Sequence, residues 1–149
     1  MKNRFKLLLM FLFFVFIQKM GIAQSIDDQA KVLQKCIDLT ELQQYFPKNA
    51  DNSFKQLRIL NFPVSFPVSV KAVKFDQPVL FQTREEVVSD NPDLLFTFSK
   101  FSVADNAASV VYNLNCNRNS ATPSMVEVTV SLAKSADNWS ITEFTLNTK

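Results

Sequence analysis

Residues 126–132 read Val-Glu-Val-Thr-Val-Ser-Leu, a strict alternation of apolar and polar side chains. A period of two is typical of a strand with one buried and one solvated face. The run from Ala108 to Cys116 alternates in the same way, and similar runs lie on either side of these two. Consecutive runs joined by short loops predict an antiparallel meander over residues 94–147.

The last run of the meander contains Trp139, Ile141, Phe144 and Leu146, so its alternation slips by one residue. This slip predicts a β-bulge near Thr142 or Glu143. The triplet Ala-Asp-Asn occurs at 104–106 and again at 136–138. Because Asn and Asp tolerate positive φ, both triplets are predicted to form hairpin turns.

The buried face of this meander requires a cover, and the segment that follows Ser25 is the best candidate. Apolar residues recur there at three- and four-residue spacing, which predicts an amphipathic helix. We expect helical structure over residues 25–46, with a second short turn after Thr40. The predicted fold class is therefore α+β, with an N-terminal helix packed on a curved antiparallel sheet in a single domain over residues 24–149.

The first 23 residues have the pattern of a signal peptide. Lys2, Arg4 and Lys6 precede an apolar run over residues 7–17, and small residues lead to a cleavage site between Ala23 and Gln24. This run is shorter than the roughly 20 residues that cross a bilayer, so no stable membrane span is expected after its removal. The alternative is an uncleaved anchor or a buried helix. The predicted location is periplasmic or extracellular.

Removal of the signal peptide leaves 12 basic and 14 acidic residues, a net charge of −2. A slightly acidic domain with no basic cluster is not expected to bind nucleic acid. The whole chain contains no histidine, and its single glycine is Gly21. This composition excludes glycine-rich phosphate loops, nucleophile elbows and histidine-dependent catalysis or metal binding. We therefore predict no catalytic, cofactor or metal site.

A tandem repeat, Phe62-Pro63-Val64-Ser65 and Phe66-Pro67-Val68-Ser69, interrupts the middle of the chain. Each proline removes a backbone donor and favours an extended conformation in the residue before it, which predicts an extended arm or an edge strand over residues 62–69. If exposed, Phe62 and Phe66 would form a partner surface together with Pro63 and Pro67. The alternative is that both rings pack beneath the edge of the sheet.

The two cysteines, Cys36 and Cys116, lie on the apolar faces of the predicted helix and of its sheet. Export favours oxidation, so they are candidates for a disulfide, which would stabilise the fold by roughly 4 kcal/mol in the chain-entropy model. The alternative is a pair of separate buried thiols.

The leading helix, the Val126–Leu132 strand and the hairpin that contains Asp137-Asn138-Trp139 resemble small exported bacterial domains with cystatin-like or nuclear-transport-factor-like folds. This resemblance implies a curved sheet around a helix, sometimes with an apolar pocket at the open end. It implies no activity, since such folds carry many functions. The Gln-x-Val-x-Gly wedge of cystatin inhibitors requires a glycine that the mature chain lacks.

Three hypotheses for function follow. The first is a non-catalytic interaction module that binds an unknown protein or envelope component. The second is a small-molecule carrier with a pocket between helix and sheet, lined by Tyr112 or Trp139. The third is an enzyme that depends on carboxylates such as Glu127 or Glu143.

Overall fold

The structure, a computed structural model, describes residues 26–149. The predicted signal peptide and its cleavage site, Ala23–Gln24, lie outside the described residues. Helix α1 covers residues 26–37 of the described part, and a 3-10 helix follows at Thr40–Tyr45. The remaining elements are β1 (Arg58–Leu60), β2 (Val73–Lys74), β3 (Gln77–Pro78), β4 (Leu80–Gln82), α2 (Arg84–Asp90), β5 (Leu95–Val103), β6 (Ala107–Cys116), β7 (Ser124–Ser135) and β8 (Asn138–Thr148).

Six of these strands form one sheet in the order β4-β1-β5-β6-β7-β8. Strands β5 to β8 pair antiparallel with their neighbours, which confirms the predicted antiparallel sheet in this part of the chain. Strand β1 runs parallel to both β4 and β5, so the whole sheet is mixed. Strands β2 and β3 form a separate two-stranded sheet.

The predicted α+β fold class is wrong. The described chain is mostly β, with six strands in a mixed sheet, two in a small second sheet, and only short helices. The helical structure expected over residues 25–46 is broken, because α1 ends at residue 37 and the next turn is a 3-10 helix. The parallel strands β1 and β4 have three residues each. Runs this short carry no readable period, and a parallel pairing leaves no local signal.

The core lies between the sheet and the segments that cover it. The alternate residues Val126, Val128 and Val130 are fully buried, as the pattern of residues 126–132 predicted. The α1 side chains Leu33 and Ile37 are also fully buried in the same core. Burial of each such side chain contributes roughly 1.5–3 kcal/mol to folding, which identifies this layer as the main source of stability.

Turns in this protein form without glycine. Six described residues have positive φ, and they are Asn52, Phe75, Asp76, Asn91, Asn117 and Ala136. Four of the six are Asn or Asp, as expected from the tolerance of these residues for that conformation. In the β2–β3 hairpin both turn residues, Phe75 and Asp76, have positive φ, the geometry of a type I′ turn. The Phe75 ring stacks on Phe54 with centroids 3.9 Å apart, and this packing holds the unusual backbone in place.

The predicted bulge in β8 is present. The register between β7 and β8 shifts between Ser131 and Leu132, so Thr142 has no partner opposite it. The Thr142 hydroxyl donates to the Ser131 carbonyl over 3.1 Å, which holds the bulged residue across the strand pair. After the bulge, regular pairing continues to Thr148.

The structure contains no disulfide between Cys36 and Cys116, so this prediction is corrected. Both residues are buried free thiols. The carbonyl of Cys36 contacts Tyr112, whereas Cys116 lies four residues further along β6, a separation of roughly 13 Å along a strand. The side-chain pattern indicated that the two cysteines face one core, but it did not indicate which residue of β6 lies opposite Cys36. A disulfide requires that the two residues share a face and also lie close together.

Candidate binding site

The predicted pocket residues Tyr112 and Trp139 are fully buried, and neither lines a described cleft. The Tyr112 hydroxyl donates to the Cys36 carbonyl over 2.8 Å. The Trp139 indole N–H donates to a carboxylate oxygen of Asp28 over 2.9 Å. Because both polar groups donate hydrogen bonds to residues of α1, Tyr112 and Trp139 join the sheet to the helix and have a structural role.

Asp28 is the buried charge at the start of α1. Its second carboxylate oxygen accepts from the Lys134 ammonium over 2.8 Å, and both side chains are about one-tenth exposed. Burial raises the pKa of the Asp28 carboxyl, but the hydrogen bonds from Lys134 and Trp139 and the Lys134 charge outweigh it and lower this pKa overall. The cluster of Asp28, Lys134 and Trp139 therefore fixes α1 to the β7–β8 hairpin.

The structure separates the predicted residues of the Phe-Pro arm. Phe66 is buried, with its ring against Phe81, Phe98 and Phe101. Phe62 is 45% exposed, and the Arg84 guanidinium lies 3.4 Å from the centre of its ring.

Pro63 and Pro67 are both exposed. The arm therefore presents one aromatic ring and two prolines to solvent, and the second ring belongs to the core.

A cleft of about 580 Å³ lies at the opposite edge of the sheet, between the helical segment and β8. We call it the β8 cleft. Its nine lining residues are Lys35, Asp38, Leu39, Thr40, Glu41, Ile141, Thr142, Glu143 and Phe144. Contacts join the same two segments on either side of these residues in the chain. The Asp28–Trp139 hydrogen bond precedes the lining residues in both segments, and the contact of 3.5 Å between the Tyr45 and Thr148 hydroxyls follows them.

Phe144 is the unusual residue of this cleft. It stands directly opposite Val130, whose side chain is fully buried, and it belongs to the same core-facing row as Leu146. Yet Phe144 is 38% exposed. The ring lines the cleft together with Asp38 and Leu39, the two residues between the end of α1 and the 3-10 helix.

The backbone of β8 also presents unpaired groups at this position. Met125 and Lys149 exchange two backbone hydrogen bonds, and antiparallel pairs alternate between bonded and non-bonded types. It follows that Glu143, Thr145 and Asn147 direct their N–H and C=O groups to β7.

The backbone groups of Phe144, Leu146 and Thr148 point the other way, toward the open edge. No strand of the described residues pairs there. The residue with the uncovered ring is therefore also a residue with unpaired backbone groups.

The rim of the β8 cleft is acidic. Asp38 forms an ion pair with Lys74 over 2.9 Å, so its charge is already partnered. No ion pair within residues 26–149 involves Glu41, Glu143 or Lys35. Two exposed carboxylates and one exposed ammonium that form no ion pair within the described residues therefore surround an apolar floor of Leu39, Ile141 and Phe144.

A second cleft, of about 420 Å³, is polar and its charges pair with each other. The Lys55 ammonium lies 2.7 Å from Asp93, and the Arg58 guanidinium lies 3.3 Å from Asp90. The hydrogen bond from Lys55 lowers the pKa of the Asp93 carboxyl in spite of its partial burial. These charges hold the end of α2 and the loop after it against β1 and the residues before it, which is a structural role.

The carboxylates considered for catalysis do not come together. Glu127 forms an ion pair with Lys149 over 2.8 Å, whereas Glu143 lines the β8 cleft. Among residues 26–149, no group of three or more acidic or cysteine side chains is placed to hold a metal ion. Within the same range, no helix is long and apolar enough to cross a bilayer.

Sequence reasoning missed the β8 cleft. Phe144 was expected in the buried row of the last strand, and Glu41 was expected only as part of a helical turn. The slip at Thr142 was visible in the sequence and could have drawn attention to the residues after it. The edge position of β8 could not be read, because the order of strands in a sheet is not encoded by their periodicity.

No protein-family model, no curated protein and no solved structure matches this chain significantly. The resemblance to cystatin-like and nuclear-transport-factor-like domains stays a prediction from the sequence pattern.

Proposed function

We propose that this protein is a non-catalytic binding module and that the β8 cleft is its binding site. The observation that carries the proposal is Phe144, a core-facing aromatic ring that is 38% exposed inside a cleft. Exposed apolar side chains with a polar rim are typical of interaction sites. Here the apolar floor of Leu39, Ile141 and Phe144 has such a rim.

Binding fits the chemistry of the cleft better than catalysis. Acid–base catalysts are typically held in enclosed sites, where burial and neighbouring charges set their protonation. Glu41 and Glu143 are exposed side chains on the rim. They are suited to attract a positively charged partner, since exposed charges steer association.

The small-molecule carrier is the alternative for the same cleft. Its volume of about 580 Å³ is within the range of ligand pockets. The alternative loses the support of Tyr112 and Trp139, because their polar groups are bonded to Cys36 and Asp28. A cleft that runs along a sheet edge encloses a small molecule poorly, which favours a macromolecular partner.

The Phe62 surface is the second candidate site. Phe62 is 45% exposed, and Val88 on α2 is 81% exposed. Arg84 lies one helical turn before Val88 and stacks on Phe62, so the three side chains share one surface. This surface ranks second because the Arg84 guanidinium covers one face of the Phe62 ring and because Phe62 lines neither of the two clefts described above for residues 26–149.

The experiment compares two exposed phenylalanines at opposite edges of the sheet. Full-chain protein, Phe144→Ala and Phe62→Ala are immobilised, and partners are captured from the exported fraction of the cells that produce the protein. We expect captured partners to be lost with Phe144→Ala by about tenfold or more, as for a residue at the centre of an interface, and to be retained with Phe62→Ala.

Both variants should stay folded and show similar, modest decreases in the denaturant concentration of unfolding, because each removes a ring that is only partly buried. Loss of partners with Phe62→Ala alone would move the site to the arm. Equal capture by all three proteins would refute both surfaces.

A further inference from the structure

We propose that the β8 cleft takes an extended segment of a partner protein, which adds as a further strand to the six-stranded sheet at Phe144, Leu146 and Thr148. This inference rests on the proposed function and specifies its partner. An apolar side chain of the segment contacts Phe144, and basic side chains beside it face Glu41 and Glu143. The occupant is thus an extended, basic and apolar peptide segment.

The unpaired backbone groups of β8 are the first observation that supports strand addition. The N–H and C=O groups of Phe144, Leu146 and Thr148 point away from β7 and find no partner strand among the described residues. An edge strand with such a row of groups is a template for another strand. The stretch after the Thr142 bulge has regular pairing, so its backbone groups are evenly presented.

The two edges of the sheet differ, and this difference points to β8. Strand β4, the opposite edge, has three residues and continues into α2 within two residues. Short edge strands are a usual protection against unwanted pairing. Strand β8 has 11 residues, no proline, and Glu143 as its one charged side chain. It is therefore the edge that lacks the usual protection along most of its length.

The position of the cleft adds specificity to the edge. In β-augmentation, main-chain bonds supply affinity, and pockets for alternate side chains supply specificity. Phe144 presents its ring to the cleft and its backbone groups to the edge, so one residue contributes to both. A segment paired at Phe144 would place alternate side chains over the floor formed by Leu39 and Ile141.

The charge of the rim decides which segment fits. Glu41 and Glu143 have no ion-pair partner within the described chain, and Lys35 is the single cation on the rim. A second copy of the protein would bring the same acidic rim to the same interface. A segment with Lys or Arg beside its apolar residues is complementary, which favours a partner over self-association.

The probe is a pool of acetylated and amidated nonapeptides with Val, Leu, Ile or Phe at odd positions and Lys or Thr at even positions. A matched pool carries Glu in place of Lys. We expect the full-chain protein to bind members of the basic pool and to bind the acidic pool about tenfold more weakly or less. Phe144→Ala should weaken binding by about tenfold, and Phe62→Ala should leave it unchanged.

Two N-methylated series of the best peptide test strand addition itself. One series is methylated at odd positions and the other at even positions, so that only one series blocks the amides that face β8. We expect binding to fall by about tenfold or more in one series and to persist in the other. Amide exchange supplies the matching observation on the protein. Hydrogen exchange at the backbone N–H groups of Phe144 and Leu146 should slow on binding. Exchange at the N–H group of Thr145, which is already bonded to β7, should not change.

Equal retention or equal loss in both series, with no slowing at Phe144 and Leu146, would overturn strand addition. The proposed binding function would then still stand if Phe144→Ala abolished capture of partners. If neither the basic nor the acidic pool bound the protein, this inference would also be overturned. Concentration-dependent dimers that disappear with Phe144→Ala would identify a second copy as the occupant and refute the partner segment.

Discussion

Asp28 is the residue at which the first helix and the last hairpin meet. Its two carboxylate oxygens accept from Lys134 and from Trp139, and all three side chains are buried or nearly so. A buried ion pair can contribute little net stability, yet removal of one partner leaves the other charge uncompensated. Loss of the Asp28 charge should therefore destabilise the protein mainly because it would leave the Lys134 ammonium without a counter-ion.

We expect Asp28→Asn to lower the free energy of unfolding by about 3 kcal/mol at neutral pH, because Lys134 then keeps a charge without a counter-ion. The lowered pKa of Asp28 gives the pH dependence. Stability from the carboxylate is fully present above its unfolded pKa of about 4 and is lost as pH falls through the lower folded value. The measurement is urea unfolding of both proteins at neutral pH and at about pH 3.

The difference in free energy of unfolding between the original protein and Asp28→Asn should therefore become smaller in acid. Asp27→Asn is the matched control, since Asp27 is 62% exposed and its partner Lys31 is 42% exposed. This control should leave the unfolding midpoint unchanged. A difference in free energy of unfolding that is the same at both pH values would contradict a role for the Asp28 charge.

The two thiols are both buried in the folded protein. Burial raises the pKa of the Cys36 thiol to about 12 and that of Cys116 to about 11. The thiolate is the reactive form, so both residues are expected to resist iodoacetamide in the folded protein at mildly alkaline pH. Labelling followed by mass spectrometry should show modification only as fast as the protein unfolds. Rapid labelling of either thiol under native conditions would contradict this expectation.

At the scale of elements, two turns with the same sequence adopt different structures. Residues 104–106 form a three-residue loop between β5 and β6, and Ala104 does not have positive φ. At the β7–β8 hairpin only Ala136 and Asp137 lie between the strands, and Ala136 has φ 52°. Positive φ at the first position alone is the geometry of a type II′ turn, which favours glycine there.

We expect Ala136→Gly to raise the free energy of unfolding by about 0.5–1 kcal/mol, because a left-handed conformation costs an alanine roughly 1–2 kcal/mol and a glycine adds chain entropy to the unfolded state. Ala104→Gly is the matched control and should lower it by about 0.5–1 kcal/mol, since the backbone there needs no glycine. Thermal unfolding measures both. Shifts of the same sign would refute the assigned difference between the turns.

At the scale of the whole molecule, the sheet has one short edge strand, β4, and one long edge strand, β8, with which no further strand of residues 26–149 pairs. Strands β5, β6 and β7 lie in its interior, whereas β4 and β8 form the edges. The helical segment passes along the open edge and leaves the β8 cleft between them. The arrangement of the chain as a whole, and not any single motif, creates the proposed binding site.

We propose that the first 23 residues direct export, on the sequence pattern alone. Expression of the full chain in a bacterial host should give a processed protein outside the cytoplasm, and N-terminal sequencing should begin at Gln24. Lys6→Glu with Leu12→Arg changes the charged leader and the apolar run and should keep the protein unprocessed in the cell. Recovery of the intact N-terminus from the exported fraction would contradict cleavage at Ala23.

The sequence predicted local features well wherever short-range chemistry decides them. The alternation at residues 126–132 gave the buried face of β7, and the slip at residues 141–144 gave the bulge at Thr142. Each of these depends on the spacing of side chains along a few residues, which periodicity reports directly.

The sequence by itself thus determined the strands of the C-terminal half, their buried face, and a composition without glycine or histidine. Only the tertiary structure decided that β1 joins β5 in parallel, that the two cysteines stay apart, and that β8 is the last strand of the sheet among the described residues. These depend on which distant segments meet. Phe144 shows the reason most clearly, because its alternation places it in the core-facing row, whereas its exposure depends on how a distant segment of the chain packs beside it.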